Sequence, residues 1–126
     1  MTDLEIYIRD VDIAALEQWL SNALDELQVT REQSASSGVW KARGLFSGTA
    51  LSVTLYPQAF GKRFASLVIE GGGLPWDSDL ACARAAWEAL GTEIRCSPGE
   101  WQEGDPVEDE KWWRLDERGE QLAAWN

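Results

Sequence analysis

Residues 49–70 read Thr49-Ala50-Leu51-Ser52-Val53-Thr54-Leu55-Tyr56-Pro57-Gln58-Ala59-Phe60-Gly61-Lys62-Arg63-Phe64-Ala65-Ser66-Leu67-Val68-Ile69-Glu70. In the first part, Leu51, Val53 and Leu55 alternate with Ser52, Thr54 and Tyr56, the pattern of a strand with one buried face. In the last part, Phe64 to Ile69 is nearly continuous in apolar character, as a central strand is. Pro57 to Gly61 lies between them and marks a turn. The stretch therefore predicts two adjacent antiparallel strands.

Working outward, Gly44 to Gly48 is a second turn. Val39 to Arg43 before it predicts another strand, with Trp40 and Ala42 on one face and Lys41 and Arg43 on the other. Gln33 to Gly38 is Ser-rich and reads as a loop. At the start of the chain, Leu4, Ile6 and Ile8 alternate with Glu5, Tyr7 and Arg9 and predict a first strand. Ile13, Leu16, Trp19, Leu20, Ala23, Leu24 and Leu27 recur at three- and four-residue spacing. They predict one helix of about four turns, capped by Asp10 or Asp12. After Ile69, Gly71-Gly72-Gly73-Leu74-Pro75 breaks the strand. A second helix is predicted through Leu80, Ala83, Trp87 and Leu90, capped by Asp77 or Ser78 and ended by Gly91. Thr92 to Cys96 reads as a strand with Ile94 and Cys96 inward. Lys111 to Asp116 reads as a strand, Glu117 to Glu120 as a turn, and Gln121 to Trp125 as a returning strand.

The predicted order is β-α-β-β-β-α-β plus a C-terminal hairpin. That order implies an α+β two-layer sandwich, with a mainly antiparallel sheet and two helices on one face. The chain has 126 residues, enough for one domain, with no internal repeat and no boundary in sight.

The charge is unusual. Eleven basic residues against 22 acidic ones give a net charge of −11, and there is no histidine. The first half, residues 1–63, is nearly balanced, with six basic and eight acidic groups; residues 64–126 carry five and fourteen. A chain of this sign repels phosphate backbones and anionic lipid surfaces, so neither nucleic acid nor membrane is an expected partner. No apolar run approaches the roughly 18 residues of a membrane span. The polar, acidic Met1-Thr2-Asp3-Leu4-Glu5 is unlike a secretory signal. A cytoplasmic location is expected, with Cys82 and Cys96 as buried reduced thiols.

Without histidine, Ser-His-Asp and Cys-His machinery cannot form within the chain, and neither can a zinc site that uses a histidine ligand. The expectation is a protein that is not an enzyme and needs no cofactor. Gly71-Gly72-Gly73 before a helix invites comparison with a phosphate cradle. However, no G-x-G-x-x-G or G-K-S/T pattern is present, and Asp77 and Asp79 at the helix start repel anions. Asp77-Ser78-Asp79 resembles a metal corner, but helix capping accounts for it more simply.

The strongest functional signal lies near the end of the chain. Glu100, Glu103, Asp105, Glu108, Asp109 and Glu110 form an acidic run with no base. Trp101 lies within it, and Trp112 and Trp113 follow it directly. Neighbouring residues on a strand face opposite ways, so one of Trp112 and Trp113 must lie outside the core layer. An outward tryptophan among carboxylates anchors and steers a cationic partner. The expected function is an acidic binding protein, with an immunity protein or antitoxin that inhibits a basic protein as the concrete form. Its expected contact residues are Glu100, Trp101, Glu103, Asp105, Glu108, Asp109, Glu110, Trp112 and Trp113. Lys41, Arg43, Lys62 and Arg63 form a modest basic group that can pair with acids of the same or a neighbouring molecule. Two alternatives stand beside this reading. One is a homo-oligomeric accessory domain, a homodimer packed through the sheet face bearing Ser52, Thr54 and Tyr56. The other is a carboxylate- or metal-dependent enzyme using Asp77 and Asp79.

Overall fold

A computed structural model describes residues 2–30, 39–60, 63–96 and 111–124. Among these residues the fold is α+β, with two helices and an eight-stranded open antiparallel sheet. The chain runs β1 (Thr2–Arg9), α1 (Ile13–Ala23), β2 (Glu26–Thr30), β3 (Trp40–Phe46), β4 (Thr49–Phe60) and β5 (Phe64–Gly71). It continues with α2 (Asp79–Leu90), β6 (Ile94–Cys96), β7 (Lys111–Asp116) and β8 (Gly119–Ala124). In space the strands lie in the order β2-β3-β4-β5-β1-β6-β7-β8. The N-terminal strand thus lies between the meander and the C-terminal strands.

Alternation sets the two faces. Leu4, Ile6 and Ile8 of β1 stand opposite Ile69, Leu67 and Ala65 of β5, and Val53 and Leu55 of β4 stand opposite Ile69 and Leu67. These residues are buried in one cluster with Leu16, Trp19 and Leu20 of α1, Cys82, Ala83 and Ala86 of α2, and Ile94, Cys96 and Leu115. Fully burying a Leu, Ile or Val side chain contributes roughly 1.5–3 kcal/mol, so this cluster is the main source of stability. Trp19 also meets Trp76, with ring centroids 5.1 Å apart, which ties α1 to the segment leading into α2.

The helix ends follow local chemistry. Asp12 caps α1 by accepting from the Ala14 N–H at 3.1 Å, and Ser78 caps α2 by accepting from the Ala81 N–H at 3.0 Å. Gly91 ends α2 with φ of 66°, a left-handed conformation that a residue without a Cβ adopts freely.

The structure differs from the sequence expectation at the end of α1. The helix stops at Ala23, and Leu27 lies in an additional strand, β2. Leu24 is already extended, and the Asp25 carboxylate accepts from the Ser47 N–H at 2.7 Å. Leu27 and Val29 then face inward while Glu26 and Gln28 are exposed. Gly44 makes this turn possible. It stands opposite both Leu27 and Leu51, and a Cβ there would come within 2.9 Å of the Glu26 carbonyl oxygen and of Leu24 Cδ1. The meander therefore has four strands where three were expected. A second difference is that β4 continues through Pro57 to Phe60, with its register against β5 shifting between Tyr56 and Phe60.

Candidate functional site

The alternate residues of the strands form a second face, called the outer face here. On it, Tyr7 of β1 lies between Ser66 of β5 and Arg95 of β6, and Arg95 lies opposite Arg114 of β7. The Arg95 guanidinium sits over the Phe64 ring, 4.7 Å from its centroid. A cation above a ring face is attracted by its negative quadrupole. Arg95 Nε also donates to Glu93 Oε2 at 2.6 Å, and Arg9 Nη1 approaches Glu93 Oε1 at 3.6 Å. Glu93 therefore bridges two arginines with one carboxylate. Arg114 has its own acid, with Nε 3.5 Å from Asp116 Oδ2. Ser66, buried on this face, donates from Oγ to Glu5 Oε2 at 2.8 Å.

Trp112 and Trp113 are split between the two faces. Trp113 stands opposite Cys96 and packs against the buried cluster. Trp112 lies on the outer face and meets Tyr7 edge-on, with centroids 5.5 Å apart and planes at 81°. Both indoles are half-buried. Burial, the Glu5 charge and a hydrogen bond with Glu5, in that order, raise the Tyr7 pKa above the ordinary phenol value. Tyr7 is therefore a neutral, amphipathic surface beside Trp112 at physiological pH. Glu100, Trp101, Glu103, Asp105, Glu108, Asp109 and Glu110 lie outside the described residues, so of the expected contact residues only Trp112 and Trp113 are placed.

Beside this cluster, where the end of α2 approaches the β7–β8 turn, lies a cleft of about 550 Å³. Arg9, Trp87, Glu93, Arg114, Asp116 and Arg118 are among the residues that line it. Its walls carry arginines and carboxylates that pair with one another, which suits binding of a polar group. The Arg118 backbone N–H donates to Asp116 Oδ1 at 2.8 Å, which fixes the turn at its rim.

Ser78 and Asp79 have partners within the fold. Ser78 is a helix cap, and Asp79 Oδ1 accepts from the Glu5 N–H at 3.1 Å, joining α2 to β1. Burial, followed by repulsion from Glu5, raises the Asp79 pKa, against the lowering by that backbone hydrogen bond. Among the described residues no group of three or more His, Cys, Asp or Glu is arranged to hold a metal ion. Cys82 and Cys96 are free thiols, both fully buried. Burial is the main cause that pushes Cys82 far above its usual value and Cys96 up to about 12, so neither offers a thiolate near neutral pH.

Sequence reasoning missed Tyr7, Phe64, Glu93 and Arg95 as members of one surface. The alternation of β1 and β6 already turned Tyr7 and Arg95 away from the core. What was lacking was the pairing that brings β5, β1, β6 and β7 side by side. Among the described residues, no helix is long and apolar enough to cross a membrane. Comparison with protein-family models, curated proteins and solved structures finds no match.

Proposed function

We propose that this protein is a non-enzymatic acidic binding domain that docks on a basic protein, as an immunity protein or antitoxin does when it masks a cationic active site. The observation that carries this reading is the distribution of charge. Arg9, Arg84, Arg95 and Arg114 are already paired with carboxylates of the same chain. Asp3, Glu26, Glu70, Asp77, Glu88 and Glu117 are exposed and make no ion pair among the described residues. Lys41, Arg43, Arg63 and Arg118 are also exposed without an ion pair among the described residues, but the unpaired carboxylates outnumber them, so the net surface field is negative.

In this reading the acids at 100, 103, 105 and 108–110 steer a cationic partner. Trp112, at the N-terminal end of β7 and braced by Tyr7, supplies the apolar anchor. The cluster shared by both helices and one sheet face supports a two-layer sandwich, which leaves the outer face around β6 and β7, where Trp112 lies, for docking the basic partner. The reading places the protein in the cytoplasm and uses no cofactor.

The test is capture on the immobilised protein from its source cell's lysate at low salt, followed by a salt gradient. A basic protein that elutes stoichiometrically supports the reading. Retention of no basic protein defeats it. With the partner in hand, Glu108→Gln, Asp109→Asn and Glu110→Gln together slow association and leave the melting temperature nearly unchanged.

A further inference from the structure

We propose that a second copy of this chain docks on the outer face of the sheet. The two-fold axis runs parallel to the strands between β4 and β5. Arg43 of β3 stands opposite Ser52 of β4, Ser52 opposite Glu70 of β5, and Glu70 opposite Asp3 of β1. The next outward row runs Lys41, Thr54, Val68, Glu5. Each row begins with a cation on β3 and ends in acid on β1, with Ser52 and Glu70 between in the first and Thr54 and Val68 in the second. Lys41, Arg43, Ser52, Glu70, Asp3 and Glu5 are all exposed.

This arrangement is unfavourable in one copy and self-complementary in two. Asp3 and Glu70 are directly opposed like charges, which destabilise a strand pair. Lys41 and Arg43 share a face two residues apart and make no ion pair among the described residues. A half-turn about the stated axis exchanges β3 with β1 and β4 with β5 and keeps each row in line. Arg43 then faces Asp3 of the other copy, Lys41 faces Glu5, and Ser52 faces Glu70. Both repulsions are relieved, and the uncharged residues Ser52, Thr54 and Val68 lie at the centre. An isologous contact needs this self-complementarity, and sheets packed face to face bring the two outer layers into reach.

The test uses the purified chain alone, so its failure is separate from that of the basic-partner reading. Sedimentation equilibrium at about 100 µM protein compares about 20 mM with about 500 mM NaCl, since exposed charge pairs are screened by salt. In low salt the expected mass approaches twice the 14.1 kDa of one chain, and in high salt it falls toward that of one chain. Arg43→Glu abolishes the low-salt dimer, as does Asp3→Lys with Glu70→Lys. Mixing these two variants restores a dimer containing one of each, which shows that both remain folded. A single-chain mass in low salt overturns the proposal, as does a dimer indifferent to the reversals or a mixture that fails to pair. A low-salt monomer that instead binds a Lys/Arg-rich peptide through Asp3 and Glu70 also overturns it and assigns this face to a basic partner.

Discussion

Trp112 stands edge-on to Tyr7 on the outer face of the sheet, while its neighbour Trp113 packs into the opposite side against the buried cluster. Adjacent positions on one strand thus carry the same side chain into two different environments. The edge-on pair is held by the attraction of a positive ring edge for a negative ring face, worth about 1 kcal/mol beyond the area covered.

Replacing each indole with alanine separates these roles. Trp113→Ala removes a ring packed on the core and lowers unfolding free energy by about 3 kcal/mol. Trp112→Ala lowers it by about 1 kcal/mol, the value of the lost aromatic pair. Urea denaturation followed by circular dichroism measures both. Equal losses would show that the two faces are not distinguished as described. On the proposed function, Trp112→Ala also weakens partner binding by about 2 kcal/mol or more, as loss of an interface anchor does.

Gly44 is expected to tolerate no side chain. Its Cβ would meet the Glu26 carbonyl oxygen and Leu24 Cδ1 at 2.9 Å, one of them backbone that cannot move without disturbing β2. Gly44→Ala is predicted to destabilise the fold by about 1–3 kcal/mol through overpacking. The same exchange at Gly72, where the nearest neighbour is 3.7 Å away, is predicted to do much less. Thermal melts of the two variants side by side decide the point.

The thiols give a test of burial. Cys82 and Cys96 are fully enclosed, and burial holds them protonated. Neither reacts with a thiol reagent at neutral pH in the native protein, and both react once urea unfolds it. Cys82→Ser is predicted to be more destabilising than Cys82→Ala, because it places a hydroxyl in an apolar site at a cost of about 1–3 kcal/mol. Rapid native labelling of either cysteine contradicts the packing of α2 on β6.

Asp79 sets part of the pH dependence. Its pKa is raised in the fold, chiefly by burial, so the native state holds its proton more tightly than the unfolded chain does. The stabilisation that follows is complete below the unfolded pKa and is lost as pH rises through the folded one. Asp79→Asn keeps an acceptor for the Glu5 N–H and never ionises. Its melting temperature therefore gains on that of the parent protein as pH rises from about 4 to about 7. A constant difference across that range removes the burial argument.

Much of the scaffold was legible because its signals are local. Leu51, Val53 and Leu55 repeat every second residue, and Ser78 and Gly91 bracket α2 by cap chemistry that needs only a few neighbouring residues. Strand β2 was hidden for a related reason. Leu24 and Leu27 extend the helical spacing of α1, while Leu27 and Val29 also fit a strand, and local pattern cannot choose between them. The acidic run from Glu100 to Glu110, on which the functional expectation leaned most, lies outside the described residues, so only Trp112 and Trp113 of that group have a structural account.

By itself the sequence determined the α+β class, a pair of candidate N-caps for each helix and the fact that Trp112 and Trp113 must part company. Periodicity and charge are properties of neighbouring residues. Tertiary structure alone decided which indole enters the core, because the pairing of Cys96 with Trp113 sets it. It also decided that Arg95 covers Phe64 and that the row Arg43, Ser52, Glu70, Asp3 lies in line. Those relationships join strands far apart in the chain, and they arise from register, which the burial of one sheet face selects only when all the strands are assembled.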